Sequence, residues 1–92
     1  MYQIDFTSAF KKEYKKFVKL GKAKAIDTLI QSLANGENLD QKYKDHALKG
    51  EYKGFRECHI EPDLLLIYKK YEDILLLSCV RLGSHTHLFK KQ

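Results

Sequence analysis

The chain has no tryptophan, a single proline, two cysteines and no apolar run longer than the five residues Leu64 to Tyr68. Each scarcity closes off a class of protein. A run that short falls far below the ~20 apolar residues needed to span a membrane. Cys58 and Cys79 are too few for a disulfide scaffold, and both read as buried free thiols on strands. No glycine-rich loop is present to cradle phosphates, so nucleotide hydrolysis lacks its usual apparatus. The histidines and cysteines lack the paired short spacings of a zinc site, and His85-Thr86-His87 alone is a weak signal. Neither a metal nor a cofactor is expected. The N-terminus carries no charged-then-apolar leader pattern, which gives the expectation of a cytoplasmic protein.

What is present fits one domain over residues 1–92, with 43% hydrophobic and 12% aromatic residues, enough for a single core and too many for disorder. The net charge of +5 is unevenly placed. Residues 1–24 hold seven lysines against Asp5 and Glu13, which accounts for +5; residues 25–92 hold ten cations and ten anions, which cancel. A basic N-terminal end suits a polyanionic partner.

The apolar periodicity divides the chain into elements. Met1 to Phe6 alternates as a short strand does. Thr7 or Ser8 can cap a helix whose apolar stripe is Phe10, Tyr14, Phe17 and Val18, with Lys11, Lys15 and Lys19 opposite. Gly21 ends it. A second helix from about Lys22 to Ala34 turns Ile26, Leu29, Ile30 and Leu33 inward and stops at Asn35-Gly36. Residues 36 to 51 show no sustained period, and Leu39, Tyr43 and Leu48 are the candidates to pin that connection down. Tyr52 to Ile60 then alternates, with Lys53, Phe55, Glu57 and His59 on one face and Tyr52, Arg56, Cys58 and Ile60 on the other. Glu61-Pro62-Asp63 reads as a tight turn, Leu64 to Lys70 as a strand, and Ile74 to Leu82 as the last strand. The expected order is β-α-α-β-β-β. This is an α+β domain with a helical hairpin on one sheet face and the other face open to a ligand.

Two clusters carry the chemistry. His46, His59 and Asp63 lie in the first; Arg81 and His85 lie in the second, where Gly83 permits a change of direction. If the ends of the first and third strands of this sheet share one edge, the clusters meet. Imidazoles titrate near neutrality, so two can serve as base and acid. One metal-free reaction wants this set: an RNA 2′-hydroxyl, deprotonated by a base, attacks its neighbouring phosphate while an acid protonates the departing 5′-oxygen. Arg56, Arg81, Lys44 and Lys53 are candidates to hold the phosphate, arginine matching its geometry better. Phe89 is placed to stack under a base. Cys58 sits next to His59 but on the opposite strand face, which disfavours a thiol nucleophile. A non-catalytic RNA- or partner-binding module stays open beside this reading.

Three segments carry a family resemblance: K-D-H-A-L-K-G from Lys44, G-F-R-E-C-H-I-E-P-D-L-L-L-I-Y from Gly54, and R-L-G-S-H-x-x-L-F from Arg81. Together they resemble the YafQ branch of the RelE toxin superfamily, through the spacings H-x-x-x-G, R-x-x-H-x-x-x-D and R-x-G-x-H-x-x-x-F. The resemblance extends over nearly the whole chain and implies a RelE-like fold. It implies a ribosome-dependent mRNA interferase of a type II toxin–antitoxin pair, with a cognate antitoxin, the ribosome and mRNA as partners. It also implies that His46, His59, Asp63 and His85 transfer protons, that Arg81 binds phosphate and that Phe89 lies near substrate. His87 has no counterpart in the family pattern and reads as a surface residue. Leu64 departs from the pattern, since tryptophan follows the motif aspartate in a member of the family. A ParE-like toxin that binds DNA gyrase without cutting nucleic acid is the alternative on the same fold.

Overall fold

The structure is a computed structural model that describes residues 1–89. Its elements are β1 (Gln3–Phe6), α1 (Ser8–Lys19), α2 (Ala23–Ala34), β2 (His46–Ala47), β3 (Arg56–Glu61), β4 (Leu64–Tyr71), β5 (Leu76–Gly83) and α3 (His85–Leu88). Thr7 caps α1: its hydroxyl oxygen accepts the Phe10 N–H at 3.1 Å and the hydroxyl donates to the Val80 carbonyl at 2.6 Å. The cap therefore also ties the helix start to the last strand. Gly21 and Gly36 close the two helices at φ +77°, a conformation costly to any residue with a Cβ.

The strands form one sheet in the order β1-β5-β4-β3-β2, with β1 parallel to β5 and the other neighbours antiparallel. The expected α+β order holds, with two additions. Residues His46 and Ala47 form a two-residue strand inside the aperiodic connection, pairing with Glu57 and Arg56. A single helical turn, α3, follows Gly83. Both are too short to leave a periodic trace in sequence.

β4 runs through the middle, and Leu64 to Tyr68 are all buried. Leu64, Leu66 and Tyr68 face the helices and join Phe10, Ile26, Leu29, Ile30, Leu33, Cys58, Leu77, Cys79 and Leu82 in the larger core. Leu65 and Ile67 face the other way and form a smaller core with Leu88, edged by Leu48, Tyr52, Phe55, Val80 and Phe89. Leu39 and Tyr43 pack on the first core and Leu48 on the second. The long connection is thereby held on both sides of the sheet.

Three local expectations are corrected. Val18, expected on the inner stripe of α1, is 43% exposed because the stripe turns away from the sheet at the helix end. Tyr52 is not in a strand but in a 3₁₀ turn, Gly50–Tyr52, which swings its ring onto the face of Phe55. Gly83 is not in the left-handed region; a Cβ there would come within 3.2 Å of His87 Cδ2 and 3.4 Å of Leu88 Cδ2, so glycine here serves the close approach of α3, whose side chains would otherwise have to give by a few tenths of an ångström.

Burial pushes both thiols up, Cys79 to about 12, so little reactive thiolate exists at neutral pH. Iodoacetamide at pH 8 is expected to label neither cysteine in native protein and both in urea. Leu66 is fully buried between strands and helices, and Leu66→Ala is expected to cost about 2–5 kcal/mol in a urea unfolding curve.

Candidate active site

The face of the sheet opposite the helices carries the ionisable cluster, and strand register decides who meets whom. Glu57 pairs with His46 on one side and Ile67 on the other, and Ile67 pairs with Arg81. The next row is His59, Leu65 and Gly83. His59 and Gly83 are thus separated by β4, two strand spacings or about 10 Å. Their strands share an end of the sheet, but β4 lies between them, which corrects the expectation that they share one edge. The floor between them is Leu65 and Ile67. On β5 the register slips between Ile67–Arg81 and Tyr68–Cys79, which leaves Val80 as the extra residue of a bulge beside Arg81. Bulges re-aim side chains in this way.

His46 and His59 converge on Glu57. The His46 Nε2 lies 3.3 Å and the His59 Nε2 3.6 Å from Glu57 Oε1. His46 Nδ1 donates to the Lys44 carbonyl at 2.6 Å. A carbonyl can only accept, so this bond fixes a proton on Nδ1 and leaves Nε2 as the nitrogen that faces the site. Glu57 is only 3% exposed, and its Oε2 has no hydrogen-bond partner among the described residues. A buried carboxylate oxygen without a partner costs stability and persists where chemistry requires it. Lys44 itself adopts φ +50°, and a non-glycine residue held there stores about 1 kcal/mol or more. That strained backbone aims its carbonyl at His46. Lys44 lines the same cleft as His59.

The second half of the face is aromatic. His85 lies 4.8 Å, centroid to centroid, from Phe89; Phe89 meets Tyr52 edge-on at 5.6 Å, and Tyr52 meets Phe55 at 6.1 Å. Ser84 caps α3 by accepting the His87 N–H at 3.1 Å, which sets the turn that carries His85 out to solvent. Asp63, exposed after the Pro62 turn, borders a cleft with Gly83, Ser84 and His87. Arg81 is gripped by Glu13 of α1, with Nη2 to Oε2 at 2.8 Å. This hydrogen bond, with the nearby negative charge, holds the guanidinium pKa above its ordinary value.

Not every expected residue joins this surface. Arg56 stands on the helix-side face with Cys58 and Ile60, where its Nε donates to Asp45 Oδ1 at 3.2 Å. Burial works against its charge, but the hydrogen bonds to Asp45 and Tyr68 outweigh that and raise its pKa. Tyr68 donates to the same Asp45 oxygen at 2.6 Å. Arg56 therefore braces the His46 loop from behind and is withdrawn as a substrate contact. Lys53 is exposed beyond the 3₁₀ turn. His87 is at the surface, as expected, and its Nε2 lies 3.3 Å from Glu13 Oε2. Sequence reading passed over Glu57, Tyr52 and Glu13. For Glu57 a signal existed, since it shares strand parity with His59 and sits beside the buried Cys58. Among the described residues, no group of three or more His, Cys, Asp or Glu side chains is arranged to hold a metal ion, and no helix is long and apolar enough to cross a membrane.

Against this geometry, a family model described as a bacterial toxin of type II toxin–antitoxin systems, YafQ, matches residues 2–90. The chain belongs to the YafQ toxin family. It is 36% identical over 88 residues to the mRNA interferase toxin YafQ of Escherichia coli K12, covering 96% of this chain and 91% of that one. Among solved structures, a metal-bound toxin from Helicobacter pylori is 46% identical, with a TM-score of 0.89 over 97% of this chain and all of that one. YafQ in the E. coli DinJ–YafQ complex is 36% identical, with a TM-score of 0.86 over 97% of this chain and 99% of that one. The mixed sheet with its helical hairpin is thus the YafQ and RelE-like fold.

If Glu57 is retained for the site rather than for the fold, Glu57→Gln is expected to keep or slightly raise stability, since it removes a buried charge without changing shape. A loss beyond about 2 kcal/mol in urea unfolding would mean that the carboxylate serves the fold.

Proposed function

We propose that this YafQ-family toxin is an mRNA interferase, a ribosome-dependent endoribonuclease that cuts by attack of the RNA 2′-hydroxyl on the adjacent phosphate. The observation that supports this most directly is the pairing of His46 and His59 on one buried carboxylate, Glu57, with His85 and an aromatic shelf across the same face. The E. coli relative carries the name mRNA interferase toxin.

In this reading His46 or His59 takes the 2′-hydroxyl proton, and Glu57 stabilises the imidazolium that results. His85, on the far side of the Leu65–Ile67 floor, protonates the departing 5′-oxygen. An apolar gap of about 10 Å leaves room for a sugar and its phosphate between the two. Arg81, in the Glu57–Ile67 row, supplies the cation for charge gathering on the phosphoryl oxygens. Phe89 and Tyr52 offer faces to a splayed base. Asp63, beside α3, orients or shares protons with that end of the site. Every step uses the chain's own side chains, without a metal.

The setting is the cytoplasm, on a translating message. Lysines of α1 meet ribosomal RNA phosphates, while Lys44, beside His59, meets the message. A cognate antitoxin keeps the toxin silent, as DinJ accompanies YafQ in the solved complex.

Mapping RNA 5′ ends after induction tests the reading. Cuts confined to translated frames and bearing 5′-hydroxyl ends are expected. His85→Ala is expected to lower cleavage by about 10²–10⁴-fold, the ordinary worth of a general acid, with ribosome binding retained. Intact RNA accompanied by collapsed DNA supercoiling would instead identify a gyrase poison.

A further inference from the structure

Glu13 of α1 reaches Arg81, Leu82 and His87, at and beside the proposed site. Its carboxylate accepts from Arg81 Nε at 3.1 and 3.2 Å and from Nη2 at 2.8 Å. Its Oε1 also accepts the Leu82 N–H at 2.9 Å, and its Oε2 lies 3.3 Å from His87 Nε2. The side chain is only 13% exposed although it starts from a lysine-rich helix.

Topology explains the reach. β1 pairs with Leu76 to Cys79 only, so β5 from Val80 onward has an edge that no strand covers. A bare strand edge needs an acceptor for its N–H groups. Glu13 of α1 comes round that edge and supplies one to Leu82. The same carboxylate then meets the two elements that continue the chain, Arg81 on the strand and His87 on α3.

The mode of binding to Arg81 matters. A guanidinium has five N–H donors in a rigid plane. Glu13 occupies one side of that plane, the Nε–Nη2 side. Glu13 does not use the end formed by Nη1 and the second Nη2 proton, and the Tyr52 phenol is the other hydrogen-bonding neighbour of the guanidinium. A fork clamped on one side presents the other in a fixed direction, which suits bidentate contact with a phosphate.

We infer that Glu13 is a positioning residue of the nuclease site: it orients the Arg81 guanidinium toward the scissile phosphate and, through His87, fixes the turn that carries His85 and Phe89. This rests on the mRNA interferase reading. Glu13 touches no reacting atom in it and acts through Arg81 and α3. The lysines around it, Lys12 and Lys16 on the same helix, cannot take over because the contact requires an acceptor.

The test is a double-mutant cycle on single-turnover cleavage of a ribosome-bound message, run well below the melting temperature of each variant, with Glu13→Gln, Arg81→Ala and the pair. Glu13→Gln keeps acceptor and shape but loses the charge, so folding is expected to survive; Glu13→Asp serves as the conservative variant. Expected are a fall of about 10–100-fold for Glu13→Gln, partial rescue by Glu13→Asp, and little further loss when Glu13→Gln is added to Arg81→Ala. Binding of a message with a 2′-deoxy scissile nucleotide is expected to weaken much less than the rate falls. Wild-type rates in Glu13→Gln, or losses that simply multiply in the pair, overturn the inference. Full activity of Arg81→Ala removes Arg81 from the mechanism and overturns the inference with it, whereas absence of cleavage by the unmodified toxin overturns the mRNA interferase reading itself.

Discussion

Burial of β4 on both faces is the constraint from which the rest of the molecule follows. Five consecutive residues, Leu64 to Tyr68, are buried, so neither side of the strand can be given to water. The hydrophobic contribution of such side chains is about 1.5–3 kcal/mol each. That forces layers on both sides. The helical hairpin supplies one through Ile26, Leu29, Ile30 and Leu33, and the loop and C-terminal turn supply the other through Leu48, Tyr52, Leu88 and Phe89. The second layer is thin and made of irregular chain, and every histidine in the candidate site is attached to it or to its rim.

This arrangement also separates the two imidazole groups. With β4 between β3 and β5, His59 and Gly83 stand two strands apart across Leu65. The proposed base and acid would neutralise one another in direct contact; with an apolar floor between them, each keeps its own partner. His46 and His59 share Glu57, while His85 stacks near Phe89. Two carboxylates organise the two sides, Glu57 from the sheet and Glu13 from α1. Both are largely buried. Each therefore acts in a low-dielectric setting, where one charge orients its neighbours more strongly than on an open surface.

Placement of strain fits the same picture. Lys44, one of two non-glycine residues at positive φ among those described, lies just ahead of His46. Behind that loop, Asp45 accepts from Arg56 and Tyr68, so a half-buried polar triad on the helix side holds a strained turn on the other. Arg56 thus has a structural explanation for its presence in the family spacing, different from the substrate contact its chemistry suggested.

Much of this was legible in the residues alone. The stripes of α1 and α2, the glycine stops, the Pro62 turn and the doubly apolar β4 all announce themselves, because periodicity and turn chemistry are local properties. The same holds for the candidate histidines and Arg81, which the motif spacings single out. What the residues could not announce was partnership. Whether Arg56 meets a phosphate or Asp45 depends on which face of β3 the loop covers. Whether β3 and β5 touch or flank β4 depends on sheet order. That Glu13, in a helix of lysines, reaches Arg81 68 positions away depends on β1 ending early and leaving the β5 edge bare. Sequence determined the elements and the inventory of ionisable groups, because short-range sterics and hydrophobic spacing suffice for that. Tertiary structure alone decided which charges share a pocket, because strand order and register bring together residues that no local pattern links.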